Sequence, residues 1–177
     1  MKREMILLGA LLLACTIVVP AQTPMKTAVK DWAEQWKMAA DQLLGVAETM
    51  PADKYEYQPV KEVGAFGEQI KHATLAMKVL LANAEGKTLN TTELFAALEK
   101  LKTKEEIIAE LRKTVEAGAA VVARVAGKND GAAVESQFFG KTTRRFLLMQ
   151  AIAHNNNHYG QLVFYLRLNG LTPPGSR

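Results

Sequence analysis

Two of the chain's three histidines, His154 and His158, stand four apart in "AHNNNHYGQ". On a helix, residues at i and i+4 share a face, with Cβ atoms about 5–6 Å apart. Two imidazoles so placed can converge on one cation through metal–nitrogen bonds of about 2.0–2.1 Å. A third ligand must then come from another element, and His72 is the remaining histidine. Two readings stand. In one, the spacing is a chance occurrence and each ring is hydrogen-bonded in the core or at its rim. In the other, His72, His154 and His158 bind one metal ion. The helical pattern turns all three rings toward the interior, where crowded imidazoles without partners are costly. Three neutral nitrogens would leave coordination positions open to water or a substrate, the pattern of a catalytic site. Zinc, nickel, iron and copper all accept imidazole, so donor type does not choose among them.

The residues around the triad are less specific. Gln161, three beyond His158, can orient a ligand or a water. Glu68, one turn before His72, is either a base or second acceptor, or simply a solvated helix glutamate. Asn155 and Asn157 are expected to face neighbouring helices or solvent. Trp32 and Trp36 read as core residues, Arg167 as a partner for a carboxylate, and Arg144 and Arg145 as a solvated basic helix start. The sequence holds no glycine-rich phosphate loop, serine elbow or CxxC pair.

The elements that must position these side chains are helical. Val29, Trp32, Trp36, Ala39, Leu43, Ala47 and Met50 recur at intervals of three and four, the stripe of an amphipathic helix over 26–50. Pro51 ends it, because proline disfavours a helical residue before it, and "ADKYEYQPVKEVGAFG" is a loop with tyrosine anchors. A second helix is predicted over 65–83, with Phe66, Ile70, Ala73, Met77, Leu80 and Ala84 on one edge. His72, Leu75 and Val79 lie on the adjoining edge. Asn90, Thr91 or Thr92 can cap a short helix ending near Leu101. Thr103 and Glu106 then form a capping box that opens a helix running to Gly127. "GKNDGAAVESQFFGKTT" reads as a polar loop. The last helix runs from about Thr142 to Asn169, with Leu147, Ala151, His154, His158, Gln161, Leu162 and Tyr165 on one face. No strand is predicted. The expectation is an all-α fold, a four-helix bundle with its core between facing stripes.

Composition agrees with one globular domain: 177 residues, 49% apolar, 23% charged and a formal charge of +4. The basic residues are interspersed with acidic ones, which argues against nucleic acid as a partner. Residues 1–21 have the pattern of a cleavable signal peptide: Lys2 and Arg3, an apolar run from Met5 to Val19, then Pro20. Val19 and Ala21 occupy the −3 and −1 positions of a cleavage site. The run is shorter than the about 20 residues of a membrane span, so no stable span is expected after cleavage. Residues 22–177 form the predicted domain, exported to the periplasm or secreted. The single cysteine, Cys15, lies in the apolar run; "LLLA" before it faintly resembles a lipoprotein box, but the apolar "TIVV" after it argues against lipid anchoring. A small bundle with apolar helix faces can also form a homodimer.

Three motifs, in order, resemble the DinB-like superfamily, the four-helix bundles that include the YfiT-type metal-dependent hydrolases: "MPADKYEYQPV", "FGEQIKHATLAM" and "AHNNNHYGQLVFYLRLNGLTPPGSR". The closing motif is the most specific, with His154, His158, Gly160, Gln161, Tyr165, Leu166, Arg167, Pro173 and Pro174 at matching positions. The resemblance spans nearly all of 25–177. It implies that His72, His154 and His158 hold a divalent metal ion, zinc or nickel, and that a small molecule is the substrate or ligand. It also implies hydrolase or transferase chemistry. Relatives with known chemistry resemble thiol transferases and maleylpyruvate isomerases that use cytoplasmic thiols such as bacillithiol or mycothiol. An export signal departs from that setting. A binding module without turnover is the competing reading.

Overall fold

The computed structural model describes residues 25–127 and 129–175. The predicted signal peptide and Cys15 lie outside the described residues. The fold is mainly helical, with five helices among the described residues: α1 Met25–Thr49, α2 Phe66–Ala84, α3 Thr91–Leu98, α4 Lys104–Val125 and α5 Arg144–Leu168. The four long helices pack in pairs, with α1 and α2 each lying against both α4 and α5. The predicted stripes face one another. Trp36, Leu43 and Met50 of α1, Phe66, Ile70 and Met77 of α2, Leu111 of α4 and Leu147 and Leu162 of α5 form one buried core. No described helix is long and apolar enough to cross a membrane.

The helix ends follow local chemistry. Asn90 accepts from the backbone N–H groups of Thr92 and Glu93 to start α3. Thr103 and Glu106 form the expected capping box at α4. The start of α2 is built differently, since Ala65 has no side-chain acceptor. Glu68 accepts the Ala65 N–H at 2.9 Å, and the carbonyls of Tyr57 and Tyr55 accept the N–H groups of Phe66 and Gly67. The loop therefore satisfies donors that a helix start leaves open. A 3-10 turn at Ala52–Lys54 helps bring Tyr55 there, and its hydroxyl donates to the Ala47 carbonyl at 2.6 Å.

The stretch expected to be a polar loop contains a hairpin, so the expectation of no strand is corrected. β1 (Ala133–Ser136) pairs antiparallel with β2 (Gly140–Thr143), with Glu135 opposite Lys141. Gly140 has φ +61, a left-handed conformation that suits glycine at the end of so tight a turn. Gln137 at the tip explains why the hairpin sits where it does. Its backbone N–H donates to Asn83 Oδ1, and its side chain bridges Asn83 and both backbone groups of Leu89. Arg145, expected to be solvated, forms a two-point pair with Asp130 across the base of the hairpin.

One helix contact needs a glycine. Trp36 of α1 donates through Nε1 to the Val115 carbonyl, and its ring lies over Gly118 of α4. A Cβ at 118 would stand 2.1 Å from the Trp36 ring. Gly118→Ala gains about 1 kcal/mol of helix propensity, yet overpacking of about 1–3 kcal/mol opposes it, and so close a clash puts it at the upper end. The variant is expected to be less stable than the parent, measured as a lower urea midpoint at unchanged slope.

Candidate metal centre

The long seam between α2 and α5 brings the three histidines together. Their ring centroids lie 4.5 Å apart for His154–His158, 5.0 Å for His72–His158 and 5.3 Å for His72–His154. Each ring offers one nitrogen such that all three lie within 4.8 Å of one another, an arrangement that can hold a metal ion. Helical side chains lean toward the N-terminus, so His158 leans back over the turn that carries His154.

The rings differ in environment. His158 is 4% exposed and His154 half-buried, whereas His72 is exposed. The expectation that His72 points inward is therefore corrected: the edge of α2 beside the apolar stripe opens onto a cavity, and His72 stands at its rim. Burial holds His154 below the ordinary imidazole range, with a smaller effect from His72. Burial pushes His158 down to about 4, with smaller effects from His154 and His72. Both α5 rings are thus neutral at pH 7. His154 Nε2 and His158 Nδ1 are buried without a hydrogen-bond partner. Unpartnered nitrogens on neutral rings, gathered in one place, fit a borderline metal such as zinc or nickel.

The neighbouring candidates divide. Glu68 and Gln69 line the cavity beside His72, though one Glu68 oxygen is engaged at the start of α2. Gln161 is exposed and is not among the cavity's lining residues, and Arg167 is exposed with no ion pair among the described residues. Asn155 was the residue least legible in the sequence. It is fully buried, its amide donates to Met77 Sδ at 3.1 Å, and its Oδ1 has no partner. Its place on the seam between α2 and α5 followed from neither stripe, because asparagine carries no apolar signal. Tyr165, two turns beyond His158, donates to the Gly64 carbonyl at 2.7 Å and packs edge-on to Tyr57. This bond ties the loop before α2 to α5 and fixes one end of the site.

Five helices with three imidazoles gathered between two of them define a helical protein with a candidate metal centre. The DinB family profile matches residues 25–177, and the chain belongs to the DinB family. Among solved structures it is similar to a DinB-like protein from Bacillus cereus ATCC 10987, with TM-score 0.68 and 20% identity over 82% of this chain and 95% of that one. It is also similar to a DinB-like protein from Bacillus subtilis, with TM-score 0.66 and 21% identity over 83% and 97%. At those identities the likeness is one of fold. No curated protein sequence matches the chain significantly.

The ring environments set a pH dependence. In the unfolded chain His158 titrates near the ordinary imidazole value of about 6.5, whereas in the folded protein it resists protonation down to about 4. Between those values the unfolded state binds more protons, so stability present above pH 6.5 is lost as the pH falls toward 4. The Tm of metal-free protein is expected to drop across that window, and His158→Gln should flatten the drop. A Tm that stays level from pH 7 to pH 4.5 in the parent protein would contradict this account.

Proposed function

We propose that this protein is an exported, metal-dependent enzyme of the DinB family, a hydrolase or transferase acting on a small molecule. In this reading the four long helices form a four-helix bundle, and His72, His154 and His158 hold one divalent ion, zinc or nickel. The observation that carries the reading is the cluster of three imidazoles with unpartnered, neutral nitrogens at its buried side. Once bound, such an ion supplies Lewis acidity and makes a water or thiol usable as a nucleophile near neutral pH.

The chain's own residues define the rest. The exposed face of His72 leaves the site open to the cavity of about 450 Å3, so a small molecule can reach it. On the other side His158 is buried, so the site is closed to water there. Glu68 is the carboxylate one turn from His72 and is the candidate to accept a proton, through the oxygen not engaged by Ala65. The export reading, a domain outside the cytoplasm, is supported by the signal-peptide pattern of residues 1–21. A thiol cofactor confined to the cytoplasm does not suit that location, so hydrolysis is favoured over thiol transfer. A homodimer through the apolar outer face of α5, where Phe164 and Leu168 are exposed, is compatible with this reading.

A second reading is a binding module that holds a metal or ligand without turnover. It is favoured by the engagement of Glu68 at the helix start, which leaves the site without a carboxylate dedicated to proton transfer. Elemental analysis of untagged protein is expected to find about one divalent ion per chain, and each of His72→Ala, His154→Ala and His158→Ala should lower that content. The bound ion should raise Tm by mass action. Hydrolysis of an ester or amide panel should fall at least about a hundredfold in all three variants, as expected for loss of a group acting in the transition state. Metal binding without turnover on any panel member would select the binding module. Unchanged metal content in the three variants would overturn the metal-dependent enzyme and the metal-binding form of the second reading.

A further inference from the structure

The cavity beside the triad is lined by groups of different chemistry. His72 and His158 belong to it, the latter 4% exposed with an unpartnered Nδ1. Its apolar lining is Leu75 of α2 with Phe95 and Leu98 of α3. Phe95 is 56% exposed, so its ring is accessible to a ligand in the cavity. The charged lining is Glu68, Lys71 and Glu99. Lys71 is nearly buried, with 12% of its side chain exposed, and it pairs with Glu99 at 3.4 Å. Its charge is therefore already offset, and one carboxylate remains in excess. Glu99 itself stays 42% exposed, so it can take a second partner.

We propose that this cavity selects small molecules that carry an ammonium group beside an apolar or aromatic arm. The arm lies against Phe95, Leu98 and Leu75. The ammonium group is received by Glu99 and Glu68, and an uncharged ester, amide or other donor group is left facing the histidines. Substrates of this class are amine-bearing esters or amides, with anionic analogues disfavoured. The volume of about 450 Å3 suits such a molecule, since small-ligand sites run from about 300 to 1,000 Å3. The identity of the reacting group rests on the metal-dependent reading, whereas the charge preference of the cavity stands on Glu68, Lys71 and Glu99 alone.

The test is calorimetric binding of three probes of one shape: phenethylamine, phenethyl alcohol and 3-phenylpropionate. It is run on EDTA-treated protein and again after zinc loading. In metal-free protein the amine is expected to bind at least about tenfold tighter than the other two, the size of one charge-assisted hydrogen bond. Glu99→Gln removes the excess carboxylate, leaving Glu68 to balance Lys71, and should abolish the preference for the amine. Phe95→Ala should weaken all three probes alike, and circular dichroism checks that both variants fold. Equal or tighter binding of the carboxylate by metal-free parent protein overturns the proposal, as does an order unmoved by Glu99→Gln or the absence of binding by any probe. The amine preference with no zinc uptake would leave the cavity reading standing and remove the metal reading. Zinc uptake without the preference would do the opposite.

Discussion

The packing of α2 along α5 strips water from two imidazoles and supplies no protein group in exchange. His154 Nε2 and His158 Nδ1 are left without partners on this seam, and Asn155 Oδ1 with them. A buried polar atom without a hydrogen bond costs about 1–3 kcal/mol, a large share of the roughly 5–15 kcal/mol by which domains are stable. The core has to offset that cost, and it is placed to do so. Leu147, Ala151 and Leu162 of α5 are fully buried around the same seam, together with Ile70, Ala73 and Met77 of α2. Apolar contact above and below the histidines holds the helices together while the rings between them stay unsatisfied. Native proteins retain such sites where function requires them, and a metal ion uses the lone pairs that the helices leave free.

Holding α2 in register is the work of the loop before it. Tyr55 anchors to α1 through the Ala47 carbonyl, and its ring packs edge-on to Phe66 at the first turn of α2. Tyr165 anchors the same loop to α5 through Gly64. Two aromatic hydroxyls thus tie the start of α2 to α1 and α5, and His72 follows one and a half turns later. Glycine at 67 lets the helix approach this loop, since a Cβ there would meet the Tyr55 ring at 3.2 Å and the Ile107 side chain at 3.3 Å. The position of His72 is therefore fixed by residues that bear no resemblance to a metal site.

How much was legible in the sequence depends on how long each signal runs. The stripes of α1, α2 and α4 extend over several turns, and the residues they pick out, such as Trp36, Leu43, Ile70 and Leu111, are those the core buries. The capping box at Thr103 and Glu106 was readable because its two partners lie within four residues. The hairpin was not, because two strands of four residues give too few alternations, and its placement depends on Gln137 reaching Asn83 and Leu89 far away in sequence. The histidine cluster was readable as a candidate because only three histidines exist. The exposure of His72 was not, because it is set by a cavity that α3 helps to line. α5 was the hardest face to read: Met149, Phe164 and Leu168 are exposed while Asn155 is buried, so apolar character runs all round the helix.

Fold and chemistry meet at Glu68. Imidazole ligands bring no negative charge, so an ion held by the three histidines would keep its double positive charge, and its field would reach into the cavity. Counter-charge from ligands would quench that field and weaken the ion as a Lewis acid. Carboxylates held near the ion without ligating it would temper repulsion of cationic ligands and leave the acidity intact. Glu68 is held beside His72 by its bond to the Ala65 N–H, at the positive end of the α2 dipole. Gly64 leaves room for it, since a Cβ there would stand 3.1 Å from Glu68 Oε2. The same carboxylate that starts the helix bearing His72 therefore also sets the electrostatic character of the entrance to the site, so neither property can be changed without the other.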